Sequence, residues 1–280
     1  MAVAQQPSTE LEVKKNTDLA VVDFGDDDGA GMEDVRREEY SIPFLYVLDA
    51  KSPACAPPTA GGTAGAVAGK LLNTATNELY DGALGAQFIP CMRDSNFGEW
   101  IPRNEDGSGG GFVGTRATND PLVIELRAKH GSFGKLPTDN GTELVETFYL
   151  YGLIVNADGL GSPVLVPFKS TSISAYKNFV TRHMAIRYKK ADGSLVAPPL
   201  WAHRWRIGTH YRPAKKAGQA GWYVPKLWLD EEPPVKSLVK RSDPLYEQAK
   251  ALYTAIRAGS VAVNYEAASK QERVEDDVPF

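Results

Sequence analysis

Lys169, Lys177, Arg182, Arg187, Lys189, Lys190, Arg204, Arg206, Arg212, Lys215, Lys216 and Lys226 crowd the stretch from Val166 to Lys226, where Asp192 is the sole acid. Between them lie Tyr176, Phe179, Tyr188, Trp201, Trp205, Tyr211, Trp222 and Tyr223. Ammonium and guanidinium groups attract phosphate oxygens, and aromatic faces cover unstacked bases, so these residues together suit binding of a polyanion, single-stranded nucleic acid above all. The stretch carries +11 in a chain of formal net charge −4, which leaves −15 for the remainder, most of it at the two ends. Charge so separated along a chain produces a local field that the total conceals.

Catalytic chemistry finds little to work with. His130, His183, His203 and His210 are scattered, and the basic stretch lacks the clustered carboxylates that a two-metal nuclease needs. Cys55 and Cys91 stand far apart with no histidine cluster beside them, which suits free thiols in a reducing compartment. Gly69-Lys70 hints at a phosphate loop, but only three residues separate Gly65 from Gly69, where the motif needs four, and Leu71 stands where a magnesium-binding Ser or Thr is required. We therefore expect no enzyme, no metal and no cofactor.

The elements that must position the cations and rings follow from local pattern. In Leu200–Arg212 a period of two puts Trp201, His203, Trp205, Ile207, Thr209 and Tyr211 on one side of a strand and Arg204, Arg206 and Arg212 on the other. A loop with Lys215 and Lys216 leads to the partner strand Trp222–Leu229, giving a basic hairpin whose arginines contact phosphate and whose tryptophans face either the ligand or the core. Glu143–Val155 alternates as a strand, with Phe148 and Leu150 on one face and Tyr149 and Tyr151 on the other, either for base stacking or for packing under another strand. Ser170-Thr171-Ser172 caps a helix to about Met184, with Ile173, Tyr176, Val180 and Met184 on one face and Lys177 and Arg182 off it.

Further strand signals lie at Ile42–Leu48, in a hairpin over Lys70–Tyr80 and at Ala86–Met92. Pro53–Gly69 reads as a small-residue loop with nothing bulky to pack. Phe97 and Trp100, beside Arg93 and Arg103, precede a glycine-rich tip at 106–111 and either clamp DNA or sit in the core. Asp120-Pro121 opens a short helix that Gly131 stops, and Ser242-Asp243-Pro244 caps another through Arg257, which either packs back or mediates a homodimer. Short strands at near-regular spacing predict a β-rich (α+β) fold, an OB-fold-like barrel with added helices.

With 280 residues, 42% of them apolar and 24% charged, the chain has room for one large domain plus tails. We divide it into an acidic, disordered arm at 1–39, an OB-fold-like DNA-binding domain at 40–232, a C-terminal helix at 233–259 and an acidic tail at 260–280. The arm holds eleven acids against Lys14, Lys15, Arg36 and Arg37. No basic start with an apolar segment opens the chain and no eighteen apolar residues run together, so a cytoplasmic protein with no membrane partner is expected.

The final residues, Glu275-Asp276-Asp277-Val278-Pro279-Phe280, resemble the acidic tip of bacterial single-stranded DNA-binding proteins, where aspartates precede an aliphatic residue, a proline and a terminal phenylalanine. The acidic arm, the β-rich body, the phrase Leu71-Leu72-Asn73-Thr74-Ala75-Thr76-Asn77-Glu78 and the acidic tail together look like phage-encoded single-stranded DNA-binding proteins. That resemblance implies an OB-fold, a role in phage DNA replication and recombination in the host cytoplasm, and recruitment of replication or recombination proteins through the tip. The residues expected to touch DNA are Lys169, Lys177, Arg182, Arg187, Lys189, Lys190, Arg204, Arg206, Arg212, Lys215, Lys216, Trp100, Tyr149, Tyr151, Trp201 and Trp205. A single-strand annealing protein of recombination and a non-enzymatic phage interaction protein are the alternatives.

Overall fold

The computed structural model describes Ala30 and residues 41–103, 109–131, 134–214 and 221–263. The acidic arm, Lys215, Lys216 and the tip at 275–280 lie outside the described residues. Fourteen strands and three α-helices make up the described chain.

The chain enters through β1 (Ser41–Ile42) and β2 (Leu45–Val47), and β3 (Leu71–Asn73) and β4 (Leu79–Tyr80) then form the expected hairpin, giving a three-stranded sheet in the order β2-β3-β4. The small-residue loop before β3 does pack, because Ala54 is buried with Leu48 and Leu72. The spine of the fold is β5 (Ala86–Arg103) against β8 (Glu143–Val155), antiparallel from Phe88↔Ile154 to Trp100↔Glu143. Residues 93–103 therefore continue one strand of 18 residues, where the apolar signal marked only Ala86–Met92. Pro90 is tolerated inside it because the register shifts between Pro90 and Met92, a bulge that releases the ladder where proline has no N–H to give. Around the spine, β6 (Gly109–Ala117) pairs β5, β7 (Lys135–Pro137) and β9 (Gly161–Lys169) pair β8, and the hairpin of β12 (Trp205–Arg212) and β13 (Trp222–Leu229) joins through β12 to β5.

The result is a β-rich fold with a seven-stranded antiparallel sheet whose ladders do not close into a barrel. Both faces of the sheet are covered, which is why β8 reads as a nearly unbroken apolar run in its second half. One face buries Phe88, Leu150, Ile154, Val166, Phe168 and Trp205 beneath α2 (Ile173–Ala185), which contributes Tyr176 and Phe179. The opposite face buries Ile89, Cys91, Tyr149, Tyr151 and Leu153 beneath α3 (Pro244–Arg257), through Leu245, Ala249 and Leu252. A satellite core of Phe97, Val123, Leu126, Leu136 and Leu144 joins the far ends of the spine to α1 (Pro121–His130).

The caps of α1 and α3 form where the sequence places them, whereas Ser170–Ser172 make a 3-10 turn before α2 and the Ser172 side chain does not cap that helix. Asp120 accepts from the Leu122 N–H and Asp243 from the Leu245 N–H, each followed by proline in the first turn. Helix α2 is rotated from the expected stripe, since Tyr176 and Phe179 face the core while Met184 is 62% exposed. Beyond it, β10 (Tyr188–Lys189) pairs β11 (Leu195–Val196), and at the end of the described chain β14 (Ala262–Val263) pairs β1 in parallel. Among the described residues no helix is long and apolar enough to cross a membrane, and Cys55 and Cys91 are free thiols, Cys91 fully buried.

Gly152 tests how tightly the spine is packed. It lies opposite Pro90, and a Cβ there would sit 2.3 Å from the Phe88 ring and 2.6 Å from the Ile89 carbonyl oxygen. Overpacking of this kind typically costs about 1–3 kcal/mol. Gly152→Ala is expected to lower the urea midpoint by that amount with an unchanged denaturant slope.

Candidate nucleic-acid interface

The arginines of the basic stretch are largely engaged by carboxylates from beyond it. The Arg204 Nη2 donates to Asp243 Oδ2 at 2.5 Å, and the Arg206 Nε donates to Asp230 Oδ1 at 2.6 Å, with its Nη1 on the carbonyl oxygens of Leu84 and Gly85. Arg182 on α2 pairs with Glu232. Arg204, Arg206 and Arg182 thus staple β12 and α2 to the chain that follows β13, and a phosphate would have to displace a carboxylate to reach them. Two of the three arginines expected to share a face of the hairpin, Arg204 and Arg206, are thus paired with carboxylates.

Three of the expected stacking rings, Trp205, Tyr149 and Tyr151, are core residues, and Trp201 is half-buried against the core. Trp205 is fully buried, edge-on to Phe179 at 4.7 Å. Trp201 packs on Tyr253 and Tyr246 of α3, at centroid distances of 5.1 and 6.4 Å. Tyr149 and Tyr151, 5% and 6% exposed, lie under the same helix. The alternation along β8 placed Tyr149 and Tyr151 on one face, which α3 covers, while Trp205 lies on the opposite face of the sheet, beneath α2.

The remaining expected residues form two groups at opposite ends of α2, whose 13 residues span about 20 Å. At its start, the Lys169 Nζ stands 5.6 Å from the centre of the Trp100 ring, and Phe112 of β6 meets Trp100 edge-on at 5.1 Å. Trp100 lies back over Gly98, where a Cβ would fall 2.6 Å from the indole Nε1. The Arg212 Nη2 donates to Ser174 Oγ at 2.8 Å, and Trp222 Nε1 donates to Thr171 Oγ1 at 3.2 Å. Ser170 turns the chain into the helix with φ of 48°, and the Lys169 N–H donates to Ser172 Oγ at 2.8 Å. Lys177 is exposed one turn into the helix.

A crevice of about 60 Å³ opens between Leu45–Val47, Val166–Ser172 and Trp222–Pro225. That volume admits a few waters, far less than a nucleotide base. Bases would therefore lie on the surface rings. One step along the hairpin, Tyr211 is 54% exposed and meets Tyr223 edge-on at 5.3 Å. Tyr211, Trp222 and Tyr223 count among the rings of the basic stretch but not among the expected DNA contacts, and Phe112 is in neither set. Phe112 was legible as the first ring after the glycine-rich tip, directly across the hairpin from Trp100.

The second group, Arg187, Lys189 and Lys190, lies at the far end of α2 and in β10–β11. Near it, His203 is fully buried, and its Nε2 shares a hydrogen bond of 2.8 Å with the Tyr188 hydroxyl. Burial pushes the His203 pKa down to about 4, with the neighbouring His183 adding to the effect. Burial and then the Arg187 charge also lower His183. Among the described residues, no group of three or more His, Cys, Asp or Glu residues is placed to hold a metal ion.

No curated protein and no solved structure matches the chain. A family model described as Pam3 phage gp34-like protein matches residues 13–262, ending before the acidic tip. That span takes in all three helices, the seven-stranded sheet and the surface around the start of α2, and the chain belongs to the Pam3 phage gp34-like protein family.

Proposed function

We propose that this phage protein binds single-stranded DNA without sequence preference during replication or recombination of the phage genome in the host cytoplasm. In this reading the seven-stranded sheet, with β2–β4 folded over the same core, is an open variant of the OB barrel. Bases stack on Trp100 and Phe112 and then on Tyr211. Phosphates run past Lys169, Lys177 and Arg212, toward Arg187, Lys189 and Lys190. The tip Glu275–Phe280 recruits replication or recombination proteins. The observation that carries the reading is the Lys169 ammonium over Trp100 beside Phe112, which puts cation and rings together at the start of a helix. A non-enzymatic interaction protein is the second reading, favoured by the carboxylates that neutralise Arg182, Arg204 and Arg206.

Tryptophan fluorescence titrated with oligo-dT, duplex DNA and RNA at two salt concentrations decides between them. Binding is expected to favour the single strand and to weaken steeply with salt. Trp100→Ala removes one stacking platform, worth about 1–3 kcal/mol, and Lys169→Glu lowers both affinity and salt slope. Salt-independent binding, or no binding at low salt, leaves the interaction-protein reading in its place.

A further inference from the structure

The β10–β11 hairpin turns one face inward and the other to solvent. Tyr188 and Val196 are register partners, and the Tyr188 hydroxyl reaches the buried His203. The next pair, Lys189↔Leu195, therefore points outward, and Arg187 falls on the same side by its spacing from Lys189. Leu195 is 70% exposed, and Met184 in the last turn of α2 is 62% exposed. The Arg187 Nη1 donates to the carbonyl oxygens of Met184 and Ile186, which holds the guanidinium at the end of the helix. Asp192, the hairpin's own acid, is turned into its loop, accepting from the Ser194 N–H at 2.8 Å and the Ser194 hydroxyl at 2.6 Å.

Fixed positive charge beside two large exposed aliphatic side chains differs from a merely solvated basic face. A fitting partner brings several carboxylates and an apolar anchor within a few residues of one another. Glu275-Asp276-Asp277-Val278-Pro279-Phe280 of this chain has that composition. We propose that the outer face of β10–β11 docks this acidic segment, from the same chain or from a second copy. Arg187 and Lys189 receive the carboxylates, and the Phe280 ring covers Leu195 and Met184. The residues between Val263 and Phe280 can extend to roughly 55 Å, longer than the roughly 45 Å breadth expected of a folded body of about 220 residues. The inference shares its cations with the far end of the phosphate path proposed above, but its apolar anchors, Met184 and Leu195, take no part in base stacking, and its test needs no DNA.

The test uses the full-length chain with the photo-crosslinker benzoylphenylalanine in place of Phe280, and mass spectrometry maps the products. Cross-links are expected at Met184, Leu195 and their neighbours, weakened by salt. In Lys189→Glu/Leu195→Asp their yield is expected to fall about tenfold, since an attractive charge and an apolar contact both become repulsive. These residues are exposed, so circular dichroism of the double variant should match the parent. Mixing isotopically heavy and light chains separates docking within a copy from docking between copies. No cross-link, cross-links concentrated elsewhere such as around Lys169 and Trp222, or a yield unmoved by the double variant overturns the proposal.

Discussion

Trp205→Ala is expected to destabilise the protein by about 3–5 kcal/mol, the usual cost of deleting a fully buried large aromatic. The indole sits between β5 and β13, opposite Phe88 on one strand and Leu229 on the other, and meets the edge of Phe179 from α2. Sheet and helix would have to collapse together to fill the space it leaves. Its Nε1 is buried with no hydrogen-bond partner, so Trp205→Phe gives up ring volume but no polar contact and should cost much less. Urea unfolding followed by circular dichroism reads both variants. If Trp205→Ala kept its midpoint but lost affinity for oligo-dT, the ring would be a stacking platform after all.

Acid should weaken the protein through His203. Folding holds this imidazole neutral, with a pKa of about 4 against an ordinary value of 6.5. Between those two values the unfolded chain binds the proton and the folded chain does not, so stability rises with pH across that window. The contribution is therefore intact above pH 6.5 and is lost as the pH falls toward 4. A shift of this size corresponds to ~3 kcal/mol over the full window. His203→Gln keeps a polar side chain near the Tyr188 hydroxyl but cannot be protonated, so its unfolding free energy should fall less steeply with acidity. Parallel slopes for parent and variant between neutral pH and pH 4 would remove His203 from the account.

Much of the scaffold was legible because its signals are local. The alternation from Glu143 to Val155 marks β8 with its true bounds, and Asp120-Pro121 and Asp243-Pro244 mark the starts of α1 and α3. The length of β5 was hidden, since Pro90 breaks the ladder pattern and the apolar signal stops at Met92, while the strand runs on in a polar stretch paired with β6 and β8. The site was less legible than the scaffold. Period two assigns Tyr149, Tyr151 and Trp205 to faces but does not reveal what covers a face, and the cover for the tyrosines comes from α3, about ninety residues later. The charge count within Val166–Lys226 missed Asp230, Glu232 and Asp243 because they lie outside that window in sequence and beside its arginines in space. The contact of Lys169 with Trp100 joins residues on different strands, and no periodicity announces it.

The short parallel pairing of β1 with β14 sets how the body responds to tension. Ser41 and Ile42 run alongside Ala262 and Val263 in the same direction, so a pull through the residues before Ser41 and after Val263 slides the two strands along their axes and strains every rung together. Peeling would have released the rungs one by one. A partner that hauls on either acidic flank is resisted first at this joint, and next by Ile42 in the layer beneath α3, while the long spine of β5 and β8 stays unloaded until the joint slips.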